Sequence, residues 1–258
     1  MRIARVTYQD KQIFGVVDGD PGEEMLALVE GDPLIAGIQP TGMAIPLADA
    51  RLLTPVIPRS KVIGIGRNYA DHAAELGNEV PAEPLLFLKP NTSVISPGDA
   101  IKYPRQSTNV HYEGELAVVI SRPCWDVPAE RAADVIFGYT VGNDVTARDL
   151  QRSDAQWTRA KGFDSFCPLG PWIVTDLDVS DVALTTELNG ELKQAGRTTA
   201  MVHKIPQLIA YITSVMSLMP GDVILTGTPS GVGPMLPGDE VSVTIEGIGT
   251  LTNPVVAR

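Results

Sequence analysis

The chain has 258 residues, a formal net charge of -11 and 44% hydrophobic residues. That length accommodates one large domain, or one large and one small, with a sizeable core. The acidic balance argues against nucleic acid and against an anionic membrane surface, both of which call for a basic face; a small anionic substrate stays open, because a local basic pocket or a cation overrides net charge.

Residues 1–8 and 12–18 read as a β-hairpin, followed by the turn-rich VDGDPGEE. Asp10 and Lys11 interrupt the opening stretch early, so no secretory leader is expected, and no segment approaches the length of a membrane span. LLTPVIPRS, with two prolines, reads as the link between a small N-terminal β-rich domain, residues 1–57, and a larger domain, residues 58–258. From Lys61 onward VIGIG, LLFLK, ELAVVIS, GYTVGND, PWIVT, DVILTG and EVSVTI are short and rich in β-branched or apolar residues, which predicts a strand-dominated mixed α/β fold. Pro-Gly-Asp recurs at 97–99, 220–222 and 237–239, each suited to a tight turn with Pro at the first corner and Gly at the second.

Three helices are predicted. One runs from Tyr69 to Leu76 and a second follows Thr146, where Thr146-Ala147-Arg148-Asp149 resembles a capping box. The third spans Ile205 to Leu218, with Pro206 in its first turn and an apolar face of Leu208, Ile209, Ile212, Val215 and Met216. The two cysteines, Cys124 and Cys167, are far apart in sequence, so no disulfide framework is expected and a reducing cytoplasm is the simplest location. Cys167, in FCPLGP, reads as a buried inert thiol.

The segment HYEGELAVVIS, residues 111–121, is the most informative. As a strand it sends Glu113, Glu115, Ala117 and Val119 to one face and Gly114, Leu116, Val118 and Ile120 to the other. Two carboxylates side by side on an apolar strand are expensive to bury unless a cation neutralises them. Two ordinary surface acids at a strand start fit this motif alone equally well. Asp144, at the end of GYTVGND, shifts the balance. Glu113, Glu115 and Asp144 together form an all-oxygen set, which suits Mg²⁺ or Mn²⁺, or Ca²⁺, rather than Zn²⁺.

His72 and Glu75, three apart on the first predicted helix, share a face, and a carboxylate beside an imidazole orients it and raises its basicity. Alone, that pair fits a surface ion pair better than a site. Gly64 and Gly66 start a dinucleotide fingerprint that fails at Tyr69, and TGTPSGVG lacks the Gly-Lys-Ser/Thr of a phosphate loop. Three carboxylates and one divalent ion leave a charge of about -1, so compensating cations are needed, and Arg67 and Lys161 are the candidates.

The segments GIGRNYADHAAE, FLKP, HYEGELAVVI, GYTVGNDVTARDLQ, AKGFDSFCPLGPW and LTGTPSGVG, in this order, resemble the fumarylacetoacetate hydrolase family. The resemblance covers roughly residues 58–258 and is similar to the short bacterial members and the acylpyruvases. It implies a mixed β-roll with few helices, a homodimer, and metal ligands at Glu113, Glu115 and Asp144. It also implies a His72/Glu75 dyad on a lid (here including 76–84), a substrate-side Lys161 and Gln151, and substrate contacts from Arg67, Tyr69 and Thr228.

The function expected on this basis is stabilisation of the enolate of a small 2-oxo acid or dicarboxylate by a Mg²⁺ or Mn²⁺ ion. Acylpyruvate hydrolysis or oxaloacetate decarboxylation is preferred. The alternative is a 2-hydroxyhepta-2,4-diene-1,7-dioate isomerase or the related decarboxylase of aromatic catabolism. A non-enzymatic dicarboxylate-binding protein would need the metal ligands but not the dyad.

Overall fold

A computed structural model describes all residues, Met1–Arg258. Strands dominate, and short helices punctuate them. A 12-stranded sheet runs in the order Pro40–Pro46, Met25–Val29, Lys11–Asp18, Arg2–Tyr8, Cys167–Val174, Ile136–Asn143, Gly114–Ile120, Val223–Leu225, Val62–Gly66 and Leu85–Lys89, with two short strands off this path. Most neighbours are antiparallel, but Val223–Leu225 runs parallel to Val62–Gly66, which makes the sheet mixed. A 5-stranded sheet and a 3-stranded sheet complete the fold.

Gly114–Ile120 is buried along its whole length. Strands flank it on both edges, and both faces are covered. Leu116, Val118 and Ile120 enter the largest core, whereas Ala117 and Val119 enter a second core with Cys167, Leu169 and Leu225. This is the predicted alternation, and it follows from the two-residue period of a strand. Gly114 explains why the 5-stranded sheet can come so close. A Cβ there would lie 2.3 Å from Thr186 Oγ1 and 2.9 Å from Val243 Cγ1.

The N-terminal hairpin forms as expected, turning through Gln9 and Asp10, both at positive φ. Its own core is small, seven buried residues that include Ala4, Val6 and Leu26. Its first strand also pairs with the main sheet, Ile3 opposite Ile173, and Trp172 packs against both cores. The glycines of the three Pro-Gly-Asp turns, Gly98, Gly221 and Gly238, all sit at positive φ.

Two helix expectations need correction. Thr146 does not cap the helix Arg148–Ser153; it belongs to a two-residue strand opposite His111, and its hydroxyl donates to the Asp144 carbonyl at 2.8 Å. Asp149 reaches outward instead, accepting from Ser107 Oγ at 2.6 Å and the Thr108 amide at 2.8 Å. The sheet pairing supplies a better partner than a local cap. The long helix covers Ile205–Val215 and stops short of Leu218, because the Leu218 backbone pairs with Cys124. Leu208, Ile209 and Ile212 face the core as predicted, but Val215 is exposed.

Candidate active site

The site grows out of one strand pairing. Gly114–Ile120 runs antiparallel to Ile136–Asn143 with Gly114 opposite Asn143. Glu113 and Asp144 flank that pair and are therefore neighbours. The Asp144 amide donates to the Glu113 carbonyl at 2.9 Å, and the Glu113 amide donates to Asn143 Oδ1 at 3.0 Å. Glu115 projects from the same face. Carboxylate oxygens of Glu113, Glu115 and Asp144 lie within 4.8 Å of one another, and all three residues are buried. The Gly227 amide donates to Glu115 Oε2 at 2.7 Å. Gly227 has φ +101°, and a Cβ there would come within 2.7 Å of Asn68 Cβ, so only glycine brings that amide so close. Asn68 in turn pins the loop, donating to the carbonyls of His203 at 3.0 Å and Thr226 at 2.8 Å.

Three fixed cations meet two of the three acids, Glu113 and Asp144. Lys161 Nζ donates to Glu113 Oε2 at 2.6 Å and to Asp144 Oδ2. Lys89 Nζ donates to Asp144 Oδ1 at 2.6 Å. Arg148 donates through Nη2 to Glu113 Oε1 and through Nη1 to Gln151 Oε1 at 2.8 Å. With all three acids ionised, their charge equals that of the three cations, and one divalent ion would bring the cluster to +2. Lys161 does compensate, but Arg67 pairs with no acid, its guanidinium standing 6.0 Å from the centre of the Trp157 ring.

Burial pushes the Glu113 carboxyl up, but Arg148 and Lys161 outweigh it and hold Glu113 well below the usual carboxylate range. For Glu115, burial is reinforced by the charges of Asp144 and Glu113, and its carboxyl is pushed well above that range. Burial disfavours the Lys161 ammonium, yet Asp144 and Glu113 hold its pKa above the ordinary lysine value. A donor set made only of carboxylate oxygens, one of them held back from ionising by burial and by like charges, fits a hard divalent cation such as Mg²⁺ or Mn²⁺.

A cavity of about 330 Å³ opens beside the cluster. Arg67, His72, Gln151, Lys161 and Thr228 line it together with Glu113 and Glu115. His72, on the helix Ala70–Glu75, is buried; its Nδ1 lies 3.4 Å from Glu75 Oε2 and its Nε2 3.9 Å from Glu113 Oε1. Burial lowers the His72 pKa. Glu75 also accepts from the Gly231 amide at 3.0 Å. Thr228 donates to the Gly114 carbonyl at 2.8 Å and accepts from Gln194 Nε2 at 2.8 Å. Leu76 and Asn78, from the predicted lid segment, border the same cavity.

Tyr69 departs from expectation. It does not border this cavity; its backbone bridges to Met201, and its ring packs in the largest core, with the hydroxyl buried and unpartnered. Lys89 and Arg148 are the functional candidates the sequence reading missed. Lys89 lay in FLKP and Arg148 in NDVTARD, so both stood inside segments already singled out. A lysine ending the apolar run LLFLK was the signal available.

Comparison with known proteins bears on this geometry. Residues 61–256 match the family described as fumarylacetoacetate (FAA) hydrolase C-terminal, and residues 1–55 match one described as Rv2993c-like, N-terminal. A crystal structure described as 5-carboxymethyl-2-hydroxymuconate delta-isomerase from Mycobacterium smegmatis is 54% identical, superposes with a TM-score of 0.93 and is covered over 100% of both chains. The mitochondrial oxaloacetate decarboxylase of Dictyostelium discoideum is 44% identical over 74% of this chain and 90% of its own. A fumarylpyruvate hydrolase from Pseudomonas aeruginosa, solved with Mn²⁺ and pyruvate, is 32% identical over 78% of this chain and 91% of its own, with a TM-score of 0.74. The chain belongs to the fumarylacetoacetate hydrolase family.

Proposed function

We propose that this member of the family catalyses a divalent-cation-dependent reaction of small 2-oxo acids, with acylpyruvate hydrolysis or oxaloacetate decarboxylation as its chemistry. The observation that carries this reading is the convergence of Glu113, Glu115 and Asp144 within 4.8 Å. The likeness to a fumarylpyruvate hydrolase holding Mn²⁺ and pyruvate supports it. Glu113, Glu115 and Asp144 would hold the ion, which would supply Lewis acidity to a 2-oxo acid and so lower the cost of negative charge developing at C3.

The chain's own groups do the rest. Arg148 and Lys161 attract the anionic end of the substrate. Gln151, oriented by Arg148, aligns the reacting water. His72 turns Nδ1 to Glu75 and Nε2 toward the carboxylate cluster. In hydrolysis, Nε2 takes a proton from the water as its oxygen bonds to C4. The C3–C4 bond then breaks, and its electron pair stays on C3. The proton held on His72 passes to C3 to give pyruvate, and the acyl fragment leaves as a carboxylic acid. In decarboxylation no water attacks; the bond from C3 to the departing carboxylate breaks, its electron pair stays on C3 as carbon dioxide leaves, and C3 takes a proton from solvent water.

A second reading, isomerisation of a hydroxyheptadienedioate-type substrate, is favoured by the full-length likeness to a delta-isomerase. It needs proton transfer between carbons and no water. A Mg²⁺-supplemented screen of acetylpyruvate, fumarylpyruvate, oxaloacetate and the hydroxyheptadienedioate, run beside EDTA controls, tests both. Turnover of the first three without the fourth supports the primary reading. Turnover unaffected by EDTA and by restored metal contradicts both.

A further inference from the structure

The strand Gly114–Ile120 loses one neighbour just before it reaches the carboxylate cluster. Along that edge it pairs with Val223–Leu225, from Val119 opposite Val223 to Ala117 opposite Leu225. The Thr226 amide adds one more bond, to the Leu116 carbonyl at 3.1 Å, and there the ladder ends. Alternate residues of a strand turn their amide and carbonyl to the same edge, so Gly114, two residues before Leu116, faces the gap. A buried peptide group left unpaired there would cost about as much as a lost hydrogen bond.

Gln194, on the strand Glu191–Arg197 of the 5-stranded sheet, fills that gap with a fully buried side chain. Its Oε1 accepts from the Gly114 amide at 3.0 Å. Its Nε2 donates to Thr228 Oγ1 at 2.8 Å, and the Thr228 hydroxyl donates onward to the Gly114 carbonyl at 2.8 Å. A side-chain amide thus stands where the next peptide of the missing strand would be. It holds the residue between Glu113 and Glu115 by both of its backbone groups, one directly and one through Thr228.

The second Nε2 proton goes to the Pro229 carbonyl at 2.8 Å. That bond anchors the loop 226–233, which carries two further contacts of the site. The Gly227 amide meets Glu115 Oε2 at 2.7 Å, and the Gly231 amide meets Glu75 Oε1 at 3.0 Å. Gly231 lies against the strand that bears Gln194, where a Cβ would come within 2.1 Å of the Lys193 carbonyl oxygen. One amide therefore leads to Glu115 on one side and to Glu75, the partner of His72, on the other. Asparagine would fall about 1.5 Å short, the length of one carbon–carbon bond, and methionine would offer no donor.

We infer that Gln194 is a positioning residue of the active site. It does not line the cavity; it sets Glu115 and Glu75 relative to each other by holding Gly114 and the loop 226–233. The inference rests on the function proposed above and adds to it a residue that acts only through others.

Q194M keeps the length of the side chain and removes all three bonds. Free Mn²⁺, read by electron paramagnetic resonance, gives the affinity of the carboxylate cluster without any turnover. Q194M should raise the Mn²⁺ Kd about tenfold or more, and at saturating Mn²⁺ should lower kcat about tenfold or more on whichever screened 2-oxo acid the native protein turns over. Leu251→Ala, in the same 5-stranded sheet and the largest core, controls for lost stability. It should lower the unfolding midpoint while leaving both quantities within about twofold of native, measured well below that midpoint. If Q194M does not fold, Q194N carries the same two expectations. A glutamine variant within about twofold of native in either quantity overturns the inference, as do equal losses in Leu251→Ala. If the native protein binds no Mn²⁺, or turns over none of the screened acids, the proposed function fails and this inference falls with it.

Discussion

Replacing Lys89 with Met tests the charge balance of the site directly. The Lys89 side chain is 0% exposed and Asp144 1%, and their bond is 2.6 Å long. Removing one partner of a buried ion pair costs about 3–5 kcal/mol, because the other charge stays buried and uncompensated. Lys161 still contacts Asp144, which favours the lower end of that range. For a chain of this size, about 3 kcal/mol lowers the thermal midpoint by roughly 6–12 °C. The effect on a divalent cation runs the other way. An ammonium beside the site repels the ion by several kcal/mol even at an effective dielectric constant of about 20, so its removal should raise Mg²⁺ affinity by about tenfold or more. Thermal unfolding followed by circular dichroism, in EDTA and in saturating Mg²⁺, reads both terms through linkage. K89M should be much less stable than the native protein in EDTA and gain more from Mg²⁺. A loss below about 1 kcal/mol in EDTA, or a smaller gain from Mg²⁺ than the native protein shows, would refute the idea that Lys89 balances the cluster.

His72→Ala should lower kcat by about 10²–10⁴, the usual worth of a positioned acid–base group, while Mg²⁺ and oxalate affinities by titration calorimetry stay near native; a non-enzymatic binding protein would lose little. Burial and the nearby Arg148 charge push the His111 pKa down from its ordinary 6.5 to about 4. The unfolded chain therefore takes up a proton that the folded chain refuses, and stability should fall as pH drops from about 6.5 towards 4. In denaturant titrations His111→Asn should flatten that slope; an unchanged slope would exclude His111 as its source. Burial pushes the Cys167 thiol up to about 12, and Cys124 is also buried. Ellman's reagent at pH 8 should find almost no thiol in the native protein and two after unfolding in guanidinium.

Much of this site was legible in order along the chain, because a strand's period is short-range physics. Alternation alone placed Glu113 and Glu115 on one face and Gly114 on the other, and the structure keeps that division. Proline and glycine marked the tight turns, and the motif series pointed to the family. Helix boundaries were less legible: Thr146 was read as a local cap, but a two-residue strand claims it. Tyr69, read as a substrate contact, packs its ring into the largest core, and its backbone bridges to Met201.

What only the tertiary structure decided is which charges meet. Lys89 reaches Asp144 from a strand at the sheet's edge, and Arg148 reaches Glu113 from a separate helix. Of the two cations chosen from sequence, Lys161 meets both acids and Arg67 pairs with neither. The local sequence specifies which residues share a face. Pairing between remote segments is set by sheet order and by the cost of burying charge unmatched, and neither is written in the spacing of neighbouring residues.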